Sequence, residues 1–425
     1  MRRAVLFVLL PLLAWTLGCG EPAPAPPAAG GGEAAAADGD RSGRTTLSEI
    51  DELRSLPYLD FAAEEADPEE RGVMLHDPER AWKGYNLYTL RGLCAAELID
   101  MSGRVVNRWQ VTACSQWARA ELLPGGDLLV VGRARRKRLL LRLDFDGNVL
   151  WRRELDAHHD VEQTPSGRLL VLTMNPRAET VDGEAMTVRD DLLVLLDQDG
   201  GEIESVSLLD AFRRTEARTG GRILETVRSK RGAHDFFHAN SIEWMDRPHL
   251  FPTHPLYDPR HVLVSIKHQD LVAIVDWDQR DLVWWWGRGE LDGQHDATLL
   301  EDGNVLIYDN GIRREWGRAL EIDPRTGEMV WEYRAEPKEK LYTRSLGAAQ
   351  RLPNGNTLIA ESERGHAFEV TREGEVVWDF YVPHVNKRNR RATFVRMIRH
   401  EPGAIEELLR AQRRRRAAAE RAAER

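Results

Sequence analysis

The sequence is poor in cysteine and lacks the glycine motifs that cradle nucleotides. Only 3 of its 425 residues are cysteines, and none has the Cys-x-x-Cys spacing of zinc and dithiol redox sites. It contains neither a Gly-x-x-x-x-Gly-Lys-Ser/Thr loop nor a Rossmann glycine pattern. A nucleotide substrate would therefore have no recognisable binding loop.

The sequence also lacks an excess of positive charge, and its long apolar segments are few. The net charge of -10 argues against nucleic acid as a partner. Beyond the N-terminus, no apolar run is long enough to span a bilayer. Long amphipathic helices are missing between residues 84 and 400, which argues against a leucine-rich or helical solenoid.

The N-terminus has the pattern of an export signal. Three residues that include two arginines precede an apolar stretch, residues 4–17, which is too short for a stable span. Cys19 follows a small residue, which predicts a lipoprotein signal peptide over residues 1–19 and a lipid on Cys19. Ordinary secretion with an incidental cysteine is the alternative. We expect a bacterial envelope protein on the periplasmic side, held to a membrane by its lipid (the outer membrane in a Gram-negative cell).

Three segments outside the repeat region have their own composition. Residues 20–45 are rich in Ala, Pro and Gly, which predicts a disordered linker. Residues 46–83 are predicted to form a helical lead-in, because Thr46 or Ser48 can cap a helix with acidic residues in its first turn. Residues 401–425 are rich in Ala, Arg and Glu and predict a charged C-terminal helix.

The central part of the chain repeats one pattern of a strand, a turn with glycine and a second strand. Each unit continues with an alternating segment, a polar turn and a strand that often ends in Trp, so it carries four strand signals over about forty to fifty residues. Four antiparallel strands per unit are typical of a β-propeller blade. The five full units are 117–155, 158–208, 236–287, 293–335 and 345–381.

A sixth unit is split between the two ends of the repeat region. Residues 84–109 supply its outer half, and residues 392–398 can complete it, which closes the ring without an exposed edge. The sequence therefore predicts an all-β fold, a six-bladed β-propeller over residues 84–400, with an insert at 209–235 that is partly helical. Cys94 and Cys114 can form a disulfide that holds the closure, although two buried thiols are the alternative.

Aligning the copies on the turn places a histidine at one shared position in three blades. In a propeller the first strand of each blade lines the central axis, so these side chains should lie at one depth around it. A lone histidine is usually structural, but three in one register indicate a site. The shared position holds Ala118, His159, His238, His295 and Gly347.

Further polar residues are expected near the histidines. Asn240 shares a strand face with His238, Lys267 and His268 end an apolar strand, and Arg344 opens the last blade. Surface charges at strand ends are the alternative for Lys267 and Arg344. Histidines with nearby cations and few carboxylates suit an anionic substrate, because imidazole can attack a sulfuryl or phosphoryl centre while a cation holds its oxygens.

The sequence resembles the arylsulfotransferase family of bacterial six-bladed propellers over residues 80–400. The resemblance rests on four motifs: His238-Ala239-Asn240-Ser241-Ile242, Ser265-Ile266-Lys267-His268-Gln269, Gly293-Gln294-His295-Asp296-Ala297 and residues 350–359. It implies transfer of sulfate between phenols without adenosine phosphosulfate, with no cofactor and no metal.

The resemblance also implies roles for individual residues. His295 matches the histidine that is transiently sulfated, and His159 and His238, with Asn240, match residues that contact the sulfuryl group and the phenol oxygen. Lys267 stands where the family has an arginine. Aryl sulfates and phenols are the implied partners.

Two other classes of function fit the same residues. Several axial histidines could bind a divalent ion in a metal enzyme or lyase, since imidazole is the commonest metal ligand. A non-catalytic surface propeller that binds a ligand or a protein is the second alternative, because a fold does not fix a function.

Overall fold

Six sheets, each with four antiparallel strands and two of them with a fifth strand, form in the computed structural model, which describes residues 58–229 and 232–424. All described residues belong to one structural unit. The expected signal peptide, Cys19 and the linker 20–45 lie outside the described residues. No helix among the described residues is long and apolar enough to cross a membrane.

Each sheet is one blade, and its strands lie side by side in order from the central axis to the outer edge. From the first to the sixth blade, the innermost strands are β26 (Phe394–His400), β5 (Gln116–Leu122), β9 (Ala157–Gln163), β14 (Ala239–Trp244), β18 (His295–Leu299) and β22 (Ala348–Arg351). The second strands are β2 (Tyr85–Leu90), β6 (Leu128–Ala134), β10 (Leu169–Val181), β15 (His261–Ile266), β19 (Val305–Asp309) and β23 (Thr357–Glu361).

The outer half of each blade follows the same order. The third strands are β3 (Ala95–Ile99), β7 (Lys137–Leu143), β11 (Glu184–Leu196), β16 (Leu271–Asp276), β20 (Arg318–Ile322) and β24 (His366–Val370). The outermost strands are β4 (Val105–Gln110), β8 (Val149–Glu154), β12 (Glu202–Ser207), β17 (Asp281–Trp286), β21 (Met329–Tyr333) and β25 (Val376–Tyr381).

The repeated turn has a local cause. Gly126, Gly167, Gly303 and Gly355 each connect the first and second strands of a blade, and their φ angles lie between 83° and 94°. Residues with a Cβ are disfavoured in this left-handed region, so the turn favours glycine. The turn fixes the register of the two strands, and thereby the face of the sheet on which each side chain lies.

The ring closes through the end of the repeat region. β26 pairs with β2 in antiparallel register, with Tyr85 opposite His400, and completes the first blade. The predicted six-bladed propeller and its closure are confirmed, since residues 392–398 had been expected to supply this strand. A disulfide joins Cys94 of the first blade to Cys114 just before β5, with the Cα atoms 6.1 Å apart.

The insert between the third and fourth blades contains a helix and a short strand. α1 (Leu208–Thr219) begins after Ser207, whose Oγ accepts the Asp210 N–H, and ends at Gly220 in the left-handed conformation. β13 (His234–Asp235) pairs in parallel with β11. β10 and β11 are 13 residues each, so their hairpin extends beyond the other blades.

The described part of the expected helical lead-in contains no helix. Residues 46–57 lie outside the described residues, and within 58–83 the only regular element is β1 (Gly72–His76), which pairs with β25 at the outer edge of the sixth blade. Phe61 forms an isolated bridge with Ala392, and Ala62 N–H donates to Arg391 O. At Phe61 and Ala62 the backbone thus bonds to the ring instead of to its own next turn.

The C-terminal segment forms the expected helix, α2 (Pro402–Ala423). One face of its first half packs on the ring: Ile405 and Leu409 are buried against apolar side chains of the first and second blades. Gln412 donates to Asn107 Oδ1 of the first blade at 3.2 Å. The remaining regular elements are single 3₁₀ turns at Arg91–Leu93, Pro255–Tyr257, Lys267–Gln269, Lys338–Lys340 and Ser362–Arg364.

Candidate active site

One face of the ring collects the polar residues. The first strand of a blade starts at the same face at which its second strand ends, because the two are antiparallel. His159, His238 and His295 lie at or just before the starts of first strands, and Lys267 and Asn310 directly follow second strands. Topology alone therefore brings side chains from three blades to one mouth of the central channel.

The three histidines meet around the phenol of Tyr58, which lies in the described segment before the first blade. The ring centroid of Tyr58 is 5.4 Å from that of His159, 5.9 Å from that of His238 and 6.3 Å from that of His295. Tyr58 Oη is 2.9 Å from Nε2 of His238 and 3.4 Å from Nε2 of His295. The shared repeat position thus places histidines from three separate blades next to one another.

Asn310 fixes the tautomer of His295. Its amide Nδ2 donates to the carbonyl oxygens of Thr343 and Leu346 at 2.8 and 2.7 Å. Its Oδ1 therefore faces His295 Nδ1, 2.8 Å away, and can only accept. The proton of neutral His295 is held on Nδ1, and Nε2 presents its lone pair towards the Tyr58 oxygen.

Asp235 does the same for His238. Nδ1 of His238 lies 2.7 Å from Asp235 Oδ2, so its N–H donates to the carboxylate. Nε2 is then free of a proton in the neutral ring and accepts from the Tyr58 hydroxyl. Arg189 on β11 holds the same carboxylate oxygen at 3.1 Å, so a cation and an imidazole both orient Asp235.

The environment keeps all three imidazoles neutral. Burial lowers the pKa of His238 to about 3, against the opposing effect of Asp235. Burial, followed by the charge of Lys267, holds the pKa of His295 well below its ordinary value. Burial, followed by neighbouring His158, does the same to the pKa of His159. The pKa of Asp235 is also lowered despite its burial, because His238 is beside it, so the carboxylate stays ionised.

Backbone strain accompanies this arrangement. His159 and His238 have φ angles of 58° and 46°, in the left-handed region that residues with a Cβ rarely adopt. Such conformations cost on the order of 1 kcal/mol each and concentrate at functional sites. The His159 ring forms no hydrogen bond with another residue in the described part of the chain, so it can bond to a ligand.

Two cations flank the phenol. Lys267 Nζ lies 5.8 Å from the centroid of the Tyr58 ring, and Arg91 Cζ lies 5.1 Å from it. Lys267 is 2% exposed and opens the 3₁₀ turn between the second and third strands of the fourth blade. Its charge acts on both His238 and His295.

The other predicted binding residues divide into two groups. The ring centroid of His268 lies 4.6 Å from that of His238, with the planes tilted by 36°, and its Nδ1 donates to the backbone carbonyl of Asp235 at 2.7 Å. Asn240 is buried and its Nδ2 donates to Gln294 O, while its Oδ1 is buried without a hydrogen bond. Arg344 instead pairs with Glu363 at 3.4 Å and no contact joins it to the histidines.

One cluster of described residues has ligand atoms close enough for a metal ion. The atoms of Asp235, His238 and His268 lie within 4.8 Å of one another. However, Nδ1 of each ring already donates to Asp235, one to its carboxylate and one to its backbone carbonyl. A divalent ion would have to replace these hydrogen bonds, so the cluster fits a hydrogen-bonded pair better than a metal centre.

The aspartates that follow His159 and His295 do not orient imidazoles. Asp160 Oδ2 accepts the backbone N–H of Ile242 at 3.1 Å, and Asp296 Oδ2 accepts that of Ala349 at 3.0 Å. Both also pair with Arg396 of β26. They join neighbouring blades, whereas Asp235 contacts the His238 ring.

Sequence reasoning missed Tyr58, Arg91, Arg189 and Asn310. Tyr58 and Arg91 lie outside the compared turns, and Arg189 lies in a hairpin that only one blade extends. Asn310 had a signal, because it interrupts the apolar pattern just after a second strand, as Lys267 does. A surface depression of about 850 Å³ beside the disulfide, lined by Arg135, Arg136 and Lys137 among others, contains none of the histidines.

Comparisons with solved structures show the fold. A protein of unknown function from Bacteroides caccae matches with a TM-score of 0.51 and 11% identity, over 75% of this chain and 99% of that chain. A catalytically inactive virginiamycin B lyase from Staphylococcus aureus matches with a TM-score of 0.42 and 9% identity, over 76% and 88%. At these identities nothing about function follows. A search of curated protein sequences gives no match.

A comparison with protein families is more informative. The family model described as arylsulfotransferase (ASST) matches residues 119–383, well over half of the chain. The match includes His159, His238, Lys267 and His295, and it ends before the strand that closes the ring. The chain belongs to the arylsulfotransferase (ASST) family.

Proposed function

We propose that this protein transfers a sulfuryl group from an aryl sulfate to a phenol through a covalent intermediate on His295. One observation carries the proposal: a phenol oxygen lies between Nε2 of His295 and Nε2 of His238, and both rings are held in the tautomer that exposes that nitrogen. The channel therefore already accepts the functional group that donor and acceptor share.

In the first half-reaction, Nε2 of neutral His295 attacks the sulfur of the donor. The bond between sulfur and nitrogen forms as the bond between sulfur and the phenolic oxygen breaks, and the electron pair leaves with the phenolate. Lys267, whose charge acts on His295, stabilises the negative charge on the sulfuryl oxygens. A lysine does so as a point charge and not as the planar fork of an arginine.

In the second half-reaction, an acceptor phenol takes the place of the released one. Its oxygen attacks sulfur, the bond to Nε2 of His295 breaks, and the phenolic proton passes to Nε2 of His238. Asp235 stabilises the resulting imidazolium through Nδ1–H. The same proton then passes to the next leaving phenolate. Over a full cycle no net proton is consumed or released.

The test is release of a chromogenic phenol from its sulfate ester by the purified protein, with a second phenol as acceptor. We expect turnover by the wild type and a loss of at least about 10³-fold in His295→Asn, as expected when a nucleophile is removed. His249→Asn is the matched control, because His249 is 53% exposed in the loop between the first and second strands of the fourth blade.

The same assay distinguishes sulfuryl transfer through His295 from the metal-dependent alternative. The cluster of Asp235, His238 and His268 is the observation that favours it. Turnover that survives in His295→Asn but is lost after chelation, and returns with a divalent ion, would replace our proposal with a metal enzyme. Turnover that needs His295 and is unaffected by chelation supports sulfuryl transfer.

A further inference from the structure

We propose that Tyr58 is an acceptor of the sulfuryl group in its own chain, and that an aryl sulfate converts it to O-sulfotyrosine. This inference rests on the proposed function, since the group must first reach His295. Tyr58 is thus a modification site and not only a residue that fills the channel.

The phenol of Tyr58 has the contacts that an acceptor needs. Its hydroxyl donates to Nε2 of His238 at 2.9 Å, so the group that would take its proton is in place. The same oxygen lies 3.4 Å from Nε2 of His295, the atom that would carry the sulfuryl group. Arg91 and Lys267 lie close to its ring, where they can balance charge on a phenolate or a sulfate ester.

The residues that follow Tyr58 are bound as an extended peptide. Thr393 Oγ1 donates to Leu59 O at 2.6 Å, and Thr393 N–H donates to Asp60 O at 3.2 Å. Phe61 and Ala392 then form a bridge. Main-chain bonds to an added strand of this kind are a general mode of peptide binding, and here they place one specific tyrosine over the histidines.

The side chain of Asp60 adds a charged contact. Gln116 Nε2 donates to its Oδ1 at 2.7 Å, and Arg91 Nε lies 3.3 Å from the same oxygen. The approach is so close at Gly92 that a Cβ there would lie 2.6 Å from Asp60 Cβ. The first blade therefore packs closely against this aspartate, and Arg91 contacts both Asp60 and Tyr58.

The chemistry balances with the groups present. After an aryl sulfate has sulfated His295 and its phenolate has left, Tyr58 Oη attacks the sulfur. The bond between sulfur and Nε2 breaks with its electrons returning to the imidazole, the bond between sulfur and Oη forms, and the phenolic proton moves to Nε2 of His238. Burial raises the pKa of Tyr58, so transfer needs this base and does not start from a free phenolate.

The experiment uses the purified full chain and an aryl sulfate that carries labelled sulfate, without an added phenol. Intact mass and peptide mapping locate the label. We expect the wild type to gain one sulfuryl group on Tyr58, Tyr58→Phe to retain it on His295, and His295→Asn to gain none. Tyr85→Phe is the matched control for loss of a phenol elsewhere and should be labelled like the wild type.

Mixing two variants distinguishes transfer within a chain from transfer between chains. Tyr58→Phe can form the intermediate, and His295→Asn retains the acceptor. We expect no label on Tyr58 of the His295→Asn chain in the mixture, and a labelling rate in the wild type that is independent of protein concentration. Label passing between the chains would overturn an acceptor in the same chain.

The outcomes also separate this inference from the proposed function. If the wild type turns over aryl sulfates with an added phenol but Tyr58 never gains a label, the inference is wrong and the proposed function stands. If His295 is never labelled in Tyr58→Phe and no phenol is released, both are wrong. A label on Tyr58 that persists in His295→Asn would also overturn the inference.

Discussion

At the scale of residues, the protonation of three histidines decides what the channel can do. Each imidazole is buried next to other rings or next to a lysine, and the pKa of each is lowered. A nucleophile must be unprotonated, so a low pKa keeps His295 competent. Hydrogen bonds from Nδ1 then select which nitrogen of His238 and His295 faces the substrate.

This arrangement makes stability depend on pH. His238 has a pKa of about 3 in the folded protein and about 6.5 in an unfolded chain. Below pH 6.5 the unfolded chain binds a proton at this histidine that the folded protein does not. The contribution of neutral His238 to the free energy of unfolding is therefore fully present above pH 6.5 and is lost as the pH falls. We expect this residue alone to lower the free energy of unfolding by about 2 kcal/mol between pH 6.5 and 5.

Urea unfolding of the wild type and of His238→Gln over this pH range measures the effect. Asp235, His268 and Lys267 are the charged or titratable neighbours that act on His238, and they remain in the variant. The variant should show the weaker dependence on pH. Equal slopes in the two proteins would contradict a depressed pKa at His238.

The sequence predicts the chemistry of this site better than its geometry. A repeat register is enough to place His159, His238 and His295 at one depth, because blades are built alike. It cannot reveal Tyr58, which comes from outside the repeats and is positioned by pairing with the chain near Ala392. Nor could the sequence show that the Arg344 side chain pairs with Glu363, since a side chain at the end of a strand can point towards the central axis or away from it.

At the scale of elements, the insert before the fourth blade completes the site. β13 adds to β11 in parallel, and this pairing places Asp235 beside Arg189 and His238. The hairpin of β10 and β11 is long only in the third blade, so its extra residues supply a cation that the regular blade pattern does not contain. An irregular insertion, and not the repeat, therefore provides the partner of the proposed base.

Asp235→Asn should separate the two half-reactions. The amide can donate to Nδ1 of His238, which would shift the ring proton to Nε2 and remove the base for the acceptor. We expect transfer to a phenol to fall by about 10²- to 10⁴-fold, while the initial burst of a nitrophenolate leaving group falls much less, because that group needs no proton.

The measurement is the burst rate and the steady-state rate of the same preparation. Asp278→Asn, which alters an exposed ion pair with Arg260 on the outer surface, is the matched control. A burst and a steady state that fall by the same factor in Asp235→Asn would indicate a loss of structure and not of the base.

At the scale of the whole molecule, the seam between the sixth and first blades carries a buried ion pair. Arg399 of β26 and Glu369 of β24 are in contact, and both side chains are fully buried. Arg399 also donates to Asn86 Oδ1 and to Trp82 O at 2.8 and 2.9 Å. One arginine thus joins the closing strand to its own blade and to the last one.

Removing one partner of this pair should be costly. Arg399→Met leaves Glu369 without its cation, and we expect the free energy of unfolding to fall by about 3–5 kcal/mol. The double variant with Glu369→Gln keeps an acceptor for the Trp82 N–H but removes the buried charge, and it should recover a large part of the loss. A double variant no more stable than the single one in urea unfolding would contradict this account of the seam.

The overall fold was accessible from the sequence for a physical reason. Each blade repeats the same turn and the same alternation, so a strand with a weak signal in one unit can be identified from the other units. The closing strand is the strand that the first unit lacks. The ends of the chain have no such redundancy. The described part of the lead-in pairs with the ring at Phe61, and the C-terminal helix packs one face on the ring, because Ile405 and Leu409 contact apolar side chains there.

The most direct test of the central claim is to trap the intermediate. Tyr58→Phe is mixed with an excess of a chromogenic aryl sulfate, without acceptor, and is quenched and mapped. We predict a burst of one phenol for each chain and one sulfuryl group on Nε2 of His295. Phenol released in the burst without any label on His295 would contradict the account.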